Sequence, residues 1–192
     1  MTTDLRPLHR RSLDVAGAVV GRVEALDLVR PSPCLGWDLG ALLGHAIGQN
    51  HGFAVAVEAP GAPLGAFAPR PVAPDELAEA WQVSADRVAD AFAAVSLDDH
   101  VLLAEFSAQV RFPVSAVVGF HLLDTVVHTW DIATALGEQF RPDAELVAAT
   151  LAQAQRIPDG PDRERPGAPF APSVPIESVD DWDRTLAILG RR

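Results

Sequence analysis

Apolar residues recur at helical spacing along four long segments of this chain, and stretches rich in proline and glycine separate them. The pattern predicts amphipathic or buried helices over residues 5–28, 38–58, 74–95 and 114–136. Pro31, Pro33 and Gly36 predict a turn after the first helix, and Gly137 is a typical residue to follow the last turn of the fourth. Four long helices joined in this way predict an all-α four-helix bundle with one long crossover.

Weaker patterns mark the segments outside these helices. Residues 59–74 are rich in proline, glycine and alanine, which predicts an irregular crossover at the surface. Residues 98–113 are neither clearly helical nor clearly alternating, so a short extended segment is one interpretation. A shorter helix, an irregular wrapping tail and a last helical turn or two are predicted over residues 143–156, 158–175 and 180–189.

Composition and charge narrow the class of protein. The 192 residues are 48% hydrophobic and 21% charged, which is the balance of an ordinary globular domain. We therefore predict a single domain over residues 1–192, with a core bundle at about 5–137 and C-terminal additions at about 138–192. The net charge of −11, with no stripe of basic residues, argues against nucleic acid or an anionic membrane as a partner.

The cysteine count and the N-terminal pattern indicate the compartment. Cys34 is the single cysteine of the sequence, so neither an intrachain disulfide nor a cysteine-rich metal site is expected. Arg10 and Arg11 precede an apolar stretch as in an export signal, but Asp14 and Arg22 interrupt it. No run reaches the roughly 18 apolar residues that a membrane-spanning helix needs. These features predict a soluble, cytoplasmic protein.

Ionisable residues interrupt the most apolar predicted helix in one narrow stripe. His121, Asp124, His128 and Asp131 are three, four and three residues apart, so their side chains share one helix face. Buried helices rarely carry such groups unless the groups are paired or bind a ligand. Asp124 and His128 can place a carboxylate oxygen and an imidazole nitrogen on one cation. His45, midway along the other strongly apolar helix, is the candidate third ligand.

Two interpretations of this stripe remain open. Three protein ligands would leave one coordination position free, which favours catalysis over a structural metal. Alternatively, the histidines are hydrogen-bonded core residues and Asp124 simply pairs with His128. His121 is a candidate proton shuttle or a core histidine, whereas Asp131 either orients a ligand imidazole or serves a structural hydrogen bond. The other histidines are predicted to be surface or structural residues: His9, His51 and His100.

Three segments of the sequence resemble a known family. The segment PSPCLGWDLGALLGHAIG combines a Cys-x-Gly-Trp-Asp turn with a helix that carries a histidine, and LLDTVVHTWDIATALG has an acid four residues before a histidine. With the ending FAPSVPIESVDDWDRTLAILGRR, they resemble the DinB-like superfamily, in the branch typified by the N-terminal domain of mycothiol-dependent maleylpyruvate isomerase. The ending also resembles an actinobacterial subfamily of metal-binding proteins. The resemblance implies a DinB-like bundle with a metal at one end of a pocket, and a homodimer.

Carried over by position, the resemblance implies that His45, Asp124 and His128 hold a divalent metal, with zinc preferred over nickel or iron. It also implies that a low-molecular-weight thiol such as mycothiol takes the open position. The isomerase motif has glutamate where this chain has Asp124, and the isomerase has a C-terminal domain that this chain lacks, so maleylpyruvate isomerisation itself is not expected. Cys34 falls on the turn motif and is predicted to be a buried, small, apolar residue.

These observations predict a metal-dependent enzyme that activates a thiol against a small hydrophobic electrophile, by transferase or isomerase chemistry. One alternative is a bundle that binds a metal or small molecule without turnover, and another is a structural dimerisation module. Loss of stoichiometric metal in a His128→Ala variant would exclude the dimerisation module. Thiol-dependent turnover would then separate the enzyme from the binding protein.

Overall fold

The helices predicted from the hydrophobic pattern form an all-α fold. In the described part of the chain, residues 3–59, 62–107, 109–165 and 168–191, a computed structural model contains six α-helices and one small two-stranded sheet. The chain divides into two compact units, Met1–Phe140 and Arg141–Arg192. The first unit holds α1 (Arg6–Val20), α2 (Leu39–Glu58), α3 (Leu77–Ala94), β1 (His100–Leu102), β2 (Arg111–Pro113) and α4 (Val114–Leu136). The predicted all-α class is confirmed.

Local signals set the ends of the two helices that matter most for the site. The Asp38 side chain accepts a hydrogen bond from the backbone N–H of Ala41 and so caps the start of α2. Helix α4 begins directly after Pro113 and ends at Leu136. Gly137 follows it with a φ of 78°, in the left-handed region that glycine tolerates best. The predicted bounds of both helices are therefore confirmed to within one residue.

The structure corrects three of the predicted segments. The first helix was predicted to reach residue 28, but α1 ends at Val20, and a separate 3₁₀ turn covers Ala25–Val29. The apolar spacing continues past the end of α1 because Leu28, in the 3₁₀ turn, still packs partly against the core. The crossover and the C-terminal tail, predicted to be irregular, contain 3₁₀ turns at Leu64–Phe67 and Pro161–Glu164. Residues 60–61 of that crossover and 166–167 of that tail lie outside the described residues.

The core of the first unit lies between its four helices. Helix α2 packs against α3 and α4, and α1 packs against the same two helices. The packing of α2 on α4 brings together the two helices that carry the predicted site residues. Between α3 and α4, β1 and β2 form an antiparallel hairpin in which Val101 pairs with Phe112. This hairpin is the extended segment that the sequence left as one interpretation.

The second unit has its own packing. Its helices α5 (Ala144–Ala154) and α6 (Asp181–Ile188) pack against each other, and both begin at an aspartate cap. Arg163 is buried and donates to the backbone carbonyls of Pro158 and Ile188. These bonds join the proline-rich segment to the end of α6. Among the described residues of the chain, no helix combines the length and apolar character needed to cross a bilayer.

Candidate metal centre

Helices α2 and α4 bring together the three residues that the sequence proposed as metal ligands. His45, Asp124 and His128 each offer one ligand atom, and these atoms lie within 4.8 Å of one another. Nε2 of His128 lies 3.3 Å from Oδ1 of Asp124, one helical turn away on the same face. The rings of His45 and His128 meet edge to face, with 5.3 Å between their centroids. We call these three residues the α2–α4 cluster.

Asp131 fixes the orientation of the His128 ring. Its Oδ2 lies 2.9 Å from Nδ1 of His128, and the Asp131 side chain is fully buried. When Nδ1 donates to Asp131, Nε2 faces Asp124 and is the ring nitrogen left to bind a cation once it loses its proton. A carboxylate that accepts from the second nitrogen of an imidazole is the usual support of a metal-binding histidine. The orienting role suggested for Asp131 stays a prediction.

The electrostatics of the α2–α4 cluster favour a negative Asp124. Burial by itself would raise the pKa of this carboxyl, but the charge and hydrogen bond of His128, with smaller effects from His45 and His121, hold it well below its usual value. Burial also lowers the pKa of His128, yet Asp124 and Asp131 raise it well above 6.5 overall. Burial is the main cause that lowers the pKa of His45. Without a metal, the Asp124 carboxylate therefore lies beside a protonated His128 and a neutral His45.

The donor set of the α2–α4 cluster fits a divalent cation. Two imidazole nitrogens and one carboxylate oxygen are ligands that zinc accepts, and three protein ligands are typical of sites with an open position. The 3.3 Å between Nε2 of His128 and Oδ1 of Asp124 is close to the separation of neighbouring ligands on a tetrahedral ion with bonds of about 2.0–2.1 Å. Nickel and iron also accept this set, so the donors do not select one metal.

Cys34 is a neighbour of the cluster whose surroundings the sequence predicted only in part. It was predicted to be a buried, small, apolar residue; it packs partly against the core but is half-buried and also makes polar contacts. Its Sγ lies 3.4 Å from Oδ2 of Asp131 and 3.9 Å from Nδ1 of His128. The turn motif indicated a cysteine before α2, but 94 residues separate Cys34 from His128, so no spacing rule could have paired them.

Glu105 is a second neighbour that the sequence analysis did not identify. It lies in the β1–β2 connection, and its Oε1 accepts a hydrogen bond of 3.0 Å from Nε2 of Gln49. Gln49 is buried one helical turn after His45 on α2. Partial burial raises the pKa of Glu105 above its usual value, the charge of Asp124 adds to the rise, and the Gln49 hydrogen bond opposes it. The carboxyl therefore lies within electrostatic reach of the cluster.

An aromatic group holds the same connection against α4. The rings of Phe106 and Phe120 stack with 5.3 Å between centroids, and Phe112 packs edge to face against both. Phe120 lies one turn before Asp124 on α4. Glu105 is thus held by a residue of α2 one turn from His45, and Phe106 is held by a residue of α4 one turn from Asp124.

His121 lies in the core, where it pairs with a second histidine. Its Nδ1 lies 2.8 Å from Nε2 of His9, and neither side chain is more than 1% exposed. Phe53 and Phe92 pack against its ring, and among the described residues its Nε2 has no hydrogen-bond partner. Burial lowers the pKa of His121 to about 4, against an opposing effect of Asp124. Its suggested role as a proton shuttle stays a prediction. His51 contacts Arg87, and His100 is exposed.

The buried histidine pair predicts that acid destabilises the fold. Burial, with the charges of His121 and Arg10, lowers the pKa of His9 well below 6.5, and the pKa of His121 is about 4. The unfolded chain takes up these protons near pH 6.5, whereas the folded chain does not. Stability is therefore complete above pH 6.5 and falls as the pH drops towards 4, by on the order of 1 kcal/mol per pH unit for each histidine.

Urea unfolding of metal-free protein between pH 7 and pH 5 measures this loss. A His9→Leu, His121→Leu double variant, which replaces both partners by apolar groups, should show a clearly shallower dependence on pH. His100→Asn, at an exposed site, should keep the dependence of the original chain. An unchanged pH dependence in the double variant would contradict the assignment.

Comparison with known proteins decides the family. The sequence profile of the mycothiol maleylpyruvate isomerase N-terminal domain matches residues 9–133. This chain belongs to that family. The family match covers α1 through α4 as far as Ala133, and with them every residue of the α2–α4 cluster. The resemblance to the DinB-like superfamily that the motifs indicated is thereby confirmed.

Two further comparisons give a relative that matches nearly the whole chain and solved structures that share its fold. An uncharacterized protein of Mycobacterium tuberculosis, from strain CDC 1551 / Oshkosh and from strain ATCC 25618 / H37Rv, is 32% identical over 189 residues, which is 95% of this chain and 95% of the relative. Crystal structures of mycothiol-dependent maleylpyruvate isomerase and of a histidine-to-alanine mutant of it share the fold, with TM-scores of 0.59 and 0.62 at 15% identity. The superposition covers 78% of this chain and 65% of the isomerase chains.

Proposed function

We propose that this member of the family is a divalent-metal-dependent enzyme that uses a low-molecular-weight thiol to transform a small, hydrophobic electrophile. Isomerisation and thiol transfer are the reaction classes that fit. The observation that carries the proposal is the convergence of His45, Asp124 and His128 from two helices, with their ligand atoms within 4.8 Å. The mycothiol dependence in the name of the structural neighbours supports a thiol such as mycothiol as cosubstrate.

Different residues of the site would bind the cation, orient a ligand and supply apolar surface. His45, Asp124 and His128 would hold the cation, and Asp131 would keep Nε2 of His128 directed at it. When bound, the cation lowers the pKa of a thiol that approaches it and so supplies a nucleophile near neutral pH. Trp37, whose ring centroid is 4.8 Å from that of His45, supplies apolar surface beside the ligands.

Glu105 is the acid–base group in this proposal. Its carboxyl is held by Gln49 one helical turn from His45, and the neighbouring Phe106 stacks on Phe120 one turn from Asp124. A carboxyl with a raised pKa near a reacting centre can take a proton from one atom of a substrate and return it to another. The aromatic rings beside Glu105 favour an apolar substrate.

Thiol-dependent consumption of electrophiles tests this function. Zinc-loaded protein is mixed with mycothiol and a panel of small unsaturated acids and apolar electrophiles, and loss of electrophile is followed against His128→Ala. The proposal expects consumption that needs both the thiol and His128. If metal and thiol bind but no electrophile is consumed, the chain is a binding protein rather than an enzyme. The predicted cytoplasmic location and homodimer stay predictions.

A further inference from the structure

A second set of ligand atoms lies on the other side of the His128 ring. Sγ of Cys34 lies 3.4 Å from Oδ2 of Asp131 and 3.9 Å from Nδ1 of His128, and that nitrogen lies 2.9 Å from the same oxygen. Ligand atoms that share one tetrahedral zinc ion are about 3.3–3.8 Å apart, given bonds of about 2.0–2.3 Å. The shortest of the three separations would have to widen and the longest to close, neither by more than a few tenths of an ångström. We call these three residues the Cys34 cluster.

We propose that the Cys34 cluster is a second cation site, which takes a thiophilic divalent ion such as zinc or cobalt and shares His128 with the first. One thiolate, one imidazole nitrogen and one carboxylate oxygen form a mixed set that suits these ions and is poorly suited to magnesium or calcium. Nε2 of His128 faces Asp124, whereas Nδ1 faces Cys34 and Asp131. A single imidazole ring can therefore bind one ion through each of its nitrogens. The sharing of His128 rests on the proposed function; the second site itself does not.

The backbone around Cys34 presents the thiol in a fixed position and close to solvent. Ser32 Oγ accepts from the Cys34 N–H, and the Cys34 carbonyl accepts from the Trp37 N–H, so hydrogen bonds define the turn. A bridge between Pro31 and Asp38 closes it. The neighbouring Leu35 is fully exposed and Cys34 itself is half-buried. The bundle therefore covers Cys34 only in part.

Cobalt titration of tag-free, metal-free protein tests the second site. Cobalt gives a near-ultraviolet charge-transfer band when a thiolate binds it, and equilibrium dialysis gives the number of ions per chain. We expect two ions and a thiolate band in the unchanged chain, one ion and no band in Cys34→Ser, and a retained band in His45→Ala. The reaction of Cys34 with a thiol reagent, measured on the unchanged chain, should slow at least tenfold when cobalt is bound.

Each outcome distinguishes the second site from the proposed function. One bound ion without a thiolate band, with Cys34 still freely reactive, would overturn the second site and leave the proposed function standing. One ion with a thiolate band that survives in His45→Ala would support the Cys34 cluster and overturn the α2–α4 cluster as the metal centre. No bound ion at all would overturn both.

Discussion

Replacing Asp124 by asparagine is expected to lower the zinc affinity of the α2–α4 cluster by more than about 100-fold. That exceeds the loss of metal affinity that follows when a residue that only orients a ligand is replaced. Asparagine keeps the size of the side chain but removes the anion that lies between His45 and His128. Because Asp124 is the one carboxylate of this cluster, two neutral imidazoles would then face the cation alone. A weaker electrostatic attraction in a largely buried site has a large effect on affinity.

A competition titration against a chromogenic chelator measures this affinity. The Cys34→Ser background is used for both chains, so that zinc bound at the Cys34 cluster does not enter the measurement. Asp90→Asn, an exposed carboxylate on α3, is the matched control and should leave the affinity unchanged. An Asp124→Asn variant that binds zinc as tightly as the control would show that the carboxylate is not a ligand.

Replacing Glu105 by glutamine is expected to reduce the thiol-dependent turnover by about 10²–10⁴-fold, the usual contribution of a positioned acid–base group. Glutamine can still pair with Gln49, so the β1–β2 connection should keep its place, but it cannot take up a proton. Glutamine should also leave zinc stoichiometry unchanged, since Glu105 does not belong to either set of ligand atoms.

The pH profile separates an acid–base role from a structural one. In the unchanged chain, kcat should rise with pH as one carboxyl ionises, because Glu105 must be a carboxylate to take up the proton. Glu105→Gln should abolish that limb while kcat drops and KM stays similar. Glu79→Gln, on the first turn of α3, is the control for a lost surface carboxylate. A Glu105→Gln variant with full turnover and an unchanged profile would remove Glu105 from the mechanism.

Local sequence signals predicted the parts of the site that lie within single helices. Asp124, His128 and Asp131 share one face of α4 because a helix repeats every 3.6 residues, and this holds in any fold that keeps the helix. Local signals also predicted the start of α2, which Asp38 caps, and the end of α4, which Gly137 follows. Spacing along one helix could not pair His45 with them. Its place midway along the other strongly apolar helix made it the candidate third ligand, and the motif resemblance implied the same pairing.

The sequence did not predict which residues lie next to the predicted site, because the fold brings them together from distant parts of the chain. Glu105 meets Gln49 across 56 residues, Cys34 meets His128 across 94, and His9 meets His121 across 112. No periodicity relates such positions, and the segment around Glu105 carried too weak a pattern to predict the hairpin. The sequence also could not place His9 in the core. A histidine on an amphipathic helix can lie at the surface or in the core, and which of the two holds depends on a partner such as His121.

Anomalous scattering from crystals grown with zinc tests the central claim most directly, because it locates the ion without reference to activity. We expect a zinc peak about 2.0–2.2 Å from a ring nitrogen of His45, a carboxylate oxygen of Asp124 and Nε2 of His128. Zinc found only elsewhere on the chain, or no zinc between α2 and α4 at saturating concentration, would contradict it.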